Sequence, residues 1–184
     1  MLRGSDLEVE KLYLVCPSME HKDAYIDMME EWEATKEHIY PGKIRRNCIE
    51  YSSWLETLEA HKKRETCPSH LSPSDTFFLV NEDNSLLGAV SIRHCLNEQL
   101  LRLGGHIGYG IRPSQRRKGY ATKMLQLALE KCRDMGIKQV LVTCDKDNIG
   151  SAKTILANNG VLENEITEEN GNIVQRYWIS MKDK

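Results

Sequence analysis

No apolar run in the 184 residues approaches the roughly 18 needed to cross a bilayer. The stretch from Met1 to Asp6 leads into charged sequence and lacks the apolar core of a secretion signal. An excess of basic charge is also missing: 25 Lys and Arg stand against 27 Asp and Glu, a net charge of -2. That balance argues against a chain working mainly on nucleic acid. None of the six cysteines, Cys16, Cys48, Cys67, Cys95, Cys132 and Cys144, forms a C-x-x-C pair, so no metal site is expected. Most lie in apolar or strand-like sequence, which points to reduced thiols and a cytoplasmic protein. Two nucleotide signatures are absent, G-x-x-x-x-G-K-[ST] and G-x-G-x-x-G. No repeat, low-complexity tract or linker divides the chain, so one domain over 1–184 is expected.

What the chain does have is a change of hydrophobic period along its length. Leu12 to Val15 reads as a short strand, stopped by Pro17. Tyr25, Met28, Met29 and Trp32 then recur at helical spacing, with Glu30, Glu31, Glu33 and Glu37 opposite, up to a break at Tyr40-Pro41-Gly42. Tyr51, Trp54, Leu55 and Leu58 mark a second helix, and the polar residues 61–75 read as a loop. These helices form an N-terminal part at about 11–65, and a core follows at about 77–181. Phe77–Val80 and Leu86–Ile92 flank the turn residues Glu82 to Ser85 as a hairpin. A connection at about 97–104 leads to a strand at His106–Ile111. A helix follows over 119–135, with Gly136 at its C-cap, and then a strand at Gln139–Cys144, apolar on both faces. That order is a βαβ unit. A last helix at 149–158, capped by Asp147 or Asn148, precedes strands near 161–166 and 173–181 joined by Asn170-Gly171.

The most informative segment is Ile111-Arg112-Pro113-Ser114-Gln115-Arg116-Arg117-Lys118-Gly119-Tyr120-Ala121-Thr122. A strand ends, a basic turn follows, and a helix begins. The first N–H groups of a helix lack intrahelical partners and carry partial positive charge, so a phosphate placed there meets backbone donors. Gly119 permits close approach, Ala121 is small, and Arg116, Arg117 and Lys118 add charge suited to a polyphosphate.

On this Arg-x-x-Gly-x-Ala turn, its preceding strand, its helix and the later Asp147-Asn148 helix start, the chain resembles the GNAT superfamily of acetyl-CoA-dependent N-acetyltransferases. The resemblance implies an α/β (mixed α+β) fold. Its mostly antiparallel mixed sheet of six to seven strands splays at a central parallel pair and is flanked by about four helices. It implies acetyl-CoA as cosubstrate, held by Ile111, Arg112, Arg116, Arg117, Lys118, Gly119, Tyr120, Ala121, Thr122 and Asn148. The implied acceptor is a small-molecule or peptide amine, attacked directly in a ternary complex. Neither nucleic acid nor membrane is an expected partner, and a homodimer is compatible with late-strand pairing. His106 falls where the family often places a base or water-holding residue, and imidazole is the natural base near neutral pH. The alternative is a histidine at a strand start. Tyr109 is read as a base-side relay or a core aromatic, and Tyr177 as a donor to the leaving sulfur or a packed tyrosine. Many members carry a tyrosine in the helix after the asparagine; here that position is Ile155. A non-catalytic CoA-binding module of the same fold is the alternative function.

Overall fold

The computed structural model describes residues 10–46 and 49–181. The chain runs β1 (Leu12–Val15), α1 (Lys22–Ala34), α2 (Tyr51–Ala60), β2 (Ser74–Asn81), β3 (Leu86–Arg93), β4 (Ile107–Ile111), α3 (Tyr120–Asp134), β5 (Gln139–Asp145), α4 (Ile149–Ala157), β6 (Val161–Thr167) and β7 (Ile173–Ser180). Strands β1-β2-β3-β4 form one sheet in that order, and β5-β7-β6 form a second, with antiparallel pairing throughout each.

Side-chain alternation along β2 and β3 builds the two cores. Phe78, Val80, Leu86 and Ala89 face α1 and α2, where they meet Tyr25, Met28, Met29, Trp32 and Trp54. Phe77, Leu79, Leu87, Val90 and Ile92 face the other way, onto Met124, Leu125, Ala128 and Cys132 of α3. A strand with apolar residues on both faces must be covered on both sides, and the helices supply that cover. The second core continues into β5 through Val140, Val142 and Cys144, so one apolar cluster spans both sheets.

Several local expectations shift. The sequence pattern has the first helix reaching Tyr40, but α1 ends at Ala34. The Thr35 hydroxyl donates to the Trp32 carbonyl (2.7 Å) and Lys36 turns left-handed at φ 57°. Residues 61–75 end earlier as a loop than their polarity suggests, because Ser74, Asp75 and Thr76 pair with Arg93, Ile92 and Ser91. The 97–104 connection contains a π-helical turn, Leu100–Gly104. Cys16, Cys67, Cys95, Cys132 and Cys144 are free thiols, and Cys48 lies outside the described residues. Among the described residues no helix is long and apolar enough to cross a membrane.

The two sheets meet where β4 and β5 begin, and His106 makes the join. Its N–H donates to the Leu141 carbonyl (2.7 Å), and the Leu141 N–H donates back to His106 Nδ1 (2.9 Å). Gly105 (φ +63°) makes this approach possible, since a Cβ there would stand 2.6 Å from the Leu141 carbonyl oxygen. No strand pairing joins β4 to β5 beyond this point, and the sheet opens. Because Nδ1 accepts the Leu141 bond, the imidazole must stay neutral. Burial, followed by the nearby Arg93 charge, pushes its pKa down to about 4.

This sets a sign for pH dependence. The folded-state pKa lies below the unfolded value of 6.5, so unfolding takes up a proton between those limits. The His106 contribution is complete above pH 6.5 and is lost as pH falls toward 4. Urea midpoints measured across this window should fall less steeply for His106→Gln than for the wild type. Parallel curves for the two proteins would refute the linkage.

Candidate functional site

The opening between the sheets leads into a cleft of about 680 Å³. It is bounded by the end of β4, the turn before α3, the start of α4, and the segment that follows α1. Each wall has a different chemistry.

The first wall is the basic turn. Arg117 is left-handed at φ 65° and Gly119 at φ 83°, so the chain folds back sharply before α3 begins. The backbone N–H groups from Arg117 through Thr122 donate to no carbonyl or side chain among the described residues. Nothing lies within 4 Å of a Cβ built on Gly119. A run of unpaired amides at a helix start, facing open space, is a seat for an anion. Tyr120, Ala121 and Thr122 line the same cleft. The three cations of the turn are not equivalent. Lys118 donates only to the Gln115 side chain (2.8 Å), and Arg117 has no ion-pair partner among the described residues. Arg116 instead donates Nε–H to the Ile111 carbonyl (3.2 Å), pairs with Glu37 (2.7 Å) and lies over the Trp32 ring. Arg112 is turned away as well. It pairs with Asp27 (2.6 Å) and Glu31 of α1, and Glu31 also accepts from the Ser114 amide and hydroxyl.

The second wall is β4. Arg112 N–H bonds Leu87 and His106 C=O bonds Arg93, so the even-numbered residues point their amides at β3. Antiparallel alternation therefore turns the backbone groups of Tyr109 and Ile111 toward the opening. The Ile111 carbonyl is taken by Arg116, which leaves its N–H and both groups of Tyr109 for a ligand.

The third wall is α4. Asn148 is the N-cap, and its side chain accepts from the Ser151 amide (3.0 Å). Ile155 is fully buried in the core, while Ser151 and Thr154 line the cleft. The Tyr109 hydroxyl crosses from β4 to meet Ser151 Oγ at 2.9 Å. Burial is the main cause raising the Tyr109 pKa to about 12, so the phenol stays protonated at neutral pH. Burial also pushes Cys144 up to about 11, which keeps it a thiol. Tyr177 lies elsewhere: it is buried in β7 and donates to the Gln175 side chain (2.8 Å). His106 is at the closed end of the opening, outside the cleft lining.

The fourth wall is the segment after α1. Glu37, His38 and Tyr40 follow α1 and return over β4, with Trp32 beneath them. The wall presses so closely on Gly110 that a Cβ there would sit 2.7 Å from the Trp32 ring and still closer to the Tyr40 carbonyl. Burial, then the Arg45 charge, lowers the His38 pKa. Arg45 donates to His38 Nε2 and to the Ile39 carbonyl (3.1 Å). The acidic residues of α1 and of the segment after it are spent internally: Glu30 and Glu33 pair with Arg46, Glu31 with Arg112, and Glu37 with Arg116.

The model of the acetyltransferase (GNAT) domain matches residues 11–160. The chain belongs to this family. Solved structures share its fold at low identity. The microcin self-immunity acetyltransferase MccE, complexed with acetyl-CoA and AMP, is 18% identical at a TM-score of 0.66, covering 93% of each chain. The ribosomal L7/L12 alpha-N-protein acetyltransferase RimL, complexed with coenzyme A, is 17% identical at a TM-score of 0.66, over 92% of this chain and 94% of RimL. A chimera of the spermidine N-acetyltransferase SpeG from Vibrio cholerae and hSSAT is 15% identical at a TM-score of 0.62, over 92% and 94%. No curated protein sequence matches the chain significantly. In this GNAT domain the cleft lies between sheets that part after His106, and the unpaired amides lie in the turn before α3.

The contact at Gly110 yields a direct test. Gly110→Ala should destabilise the protein by about 1–3 kcal/mol through overpacking. Gly108→Ala meets its nearest atoms at 3.6 Å and should be tolerated better. Urea unfolding compares the two, and equal stability would show that the wall yields freely at Gly110.

Proposed function

We propose that this protein is an N-acetyltransferase that moves the acetyl group of acetyl-CoA to a primary amine of a small molecule or peptide, by direct attack in a ternary complex. The observation that carries the reading is the set of unpaired amides from Arg117 to Thr122 facing the open space at Gly119. The bound structures of MccE and RimL support the cosubstrate, and the fold neighbours include enzymes named for protein and polyamine amines.

Acetyl-CoA supplies an activated acyl thioester, so the protein needs mainly to bind, orient and manage protons. The turn amides would hold the pyrophosphate, with Arg117 and Lys118 as free cations beside it. The backbone of Tyr109 and the Ile111 N–H would take the pantetheine arm along the edge of β4. The acceptor would enter along the wall of Glu37, His38 and Tyr40.

The departing thiolate needs a proton donor. Ile155 cannot serve, being apolar and buried. Tyr109 can, since its hydroxyl is kept protonated and it lines the cleft beside Ser151. Of the three catalytic candidates read from sequence, Tyr109 is the one that lines the cleft. His106 spends its Nδ1 lone pair on Leu141, and Tyr177 spends its proton on Gln175. We therefore assign proton donation to Tyr109 with Ser151, and strand positioning to His106. Transfer is expected in the cytoplasm, where the free cysteines stay reduced.

Calorimetric titration with acetyl-CoA tests the reading first. The wild type should bind, and Gly119→Glu, which sets an anion in the pyrophosphate seat, should abolish binding while the circular-dichroism spectrum is retained. A wild type that does not bind acetyl-CoA would overturn the assignment. The proton donor is tested by following thiol release with a panel containing spermidine and an N-terminal serine peptide. Tyr109→Phe should lower kcat by about a hundredfold with acetyl-CoA affinity unchanged. A wild-type kcat in that variant would remove Tyr109 from the chemistry.

A further inference from the structure

Arg116 opens the Arg-x-x-Gly-x-Ala turn, and the sequence assigns its charge to a polyphosphate. Its surroundings assign it elsewhere. The guanidinium is held on three sides: Nε donates to the Ile111 carbonyl at 3.2 Å, Nη2 meets Glu37 at 2.7 Å, and the carbon centre lies 5.9 Å from the Trp32 ring centroid. These contacts link the end of β4, the core of α1 and the segment after α1. Glu37 adjoins His38 and lies three residues before Tyr40, the cleft-lining residues of the acceptor wall. Its carboxyl is held below the usual range, chiefly by the hydrogen bond from Arg116, so it stays anionic at neutral pH. The far side of the same segment is anchored separately, where Arg45 holds the Ile39 carbonyl and Tyr40 packs on Gly110.

We propose that Arg116 and Glu37 are a positioning pair that sets the acceptor wall against the cofactor turn, rather than a phosphate ligand with a stray counter-ion. The inference rests on the acetyltransferase reading above. The pair acts through geometry. Glu37 fixes where the residues after α1 lie relative to β4, and the acceptor amine is aligned against that wall. Both side chains are partly exposed, so the pair contributes little to overall stability. Its effect belongs in catalysis, where small misplacements are costly. Neutralising Arg116 with Glu37 also leaves Arg117 and Lys118 as the cations free to meet the pyrophosphate.

The test separates cofactor binding from acceptor use. In Glu37→Gln and Arg116→Ala, the acetyl-CoA Kd from calorimetry should stay within about threefold of wild type. Amine-dependent kcat/KM, measured on the best amine of the panel, should fall about tenfold or more, with the larger part in the acceptor KM. Arg116→Lys, which keeps a cation for Glu37, should recover part of the loss seen in Arg116→Ala. The melting temperature should change little in each variant. Loss of acetyl-CoA binding in Arg116→Ala, with Glu37→Gln silent, would overturn the proposal and return Arg116 to the phosphate. A Glu37→Gln enzyme with wild-type acceptor kinetics would also overturn it. Failure of the wild type to bind acetyl-CoA would instead refute the underlying function, so the two failures are distinguishable.

Discussion

The reciprocal hydrogen bonds between His106 and Leu141 are the point from which the working part of this protein opens. They bring β4 and β5 together at one end, and Gly105 lets the backbones approach. Past them the strands part, and backbone groups that would otherwise be consumed in a continuous sheet become available. An unpaired strand edge inside a protein is costly unless something meets it. Here that edge faces the cleft, and the closed end must hold for the open end to exist. Burial keeps His106 neutral, so the same imidazole that joins the sheets cannot easily take the proton of an attacking amine.

The turn before α3 depends on less. A helix start carries unpaired amides by construction, and a glycine without neighbours leaves room in front of them. This makes the turn before α3 nearly self-sufficient: strand, basic turn, small residues and helix are all local in the chain. The wall after α1 is built differently. Glu37, His38 and Tyr40 reach the cleft only because α1 stops at Ala34, and because Arg116, Arg45 and Gly110 receive the chain beyond it. Those partners lie far apart in sequence.

The same contrast explains how the site residues fared as readings of the sequence. The open turn at Gly119 was legible because its unpaired amides follow from local conformation. Arg116 and Arg112 carried the right charge for a phosphate, but α1 and the segment after it supply carboxylates that engage both. Side-chain type says what a residue can do, and the tertiary neighbours decide what it is left free to do. Ser151 and Thr154 carried no signal of their own. They line the cleft because Ile155 takes the buried face of α4, which its apolar side chain could have suggested.

By itself the sequence determined the order of helices and strands, the two-faced apolar character of β5, and the basic turn that opens α3 at Gly119. Each of these follows from period, composition or local backbone preference. Tertiary structure alone decided where the sheet parts, that His106 joins it, that Tyr109 meets Ser151 across the opening, and that Arg116 pairs with Glu37. These depend on distances between residues remote in the chain, set by packing of α1 and α3 on opposite faces of one sheet. Periodicity can show which face of a helix is buried, but not which charged group on another element will stand opposite it.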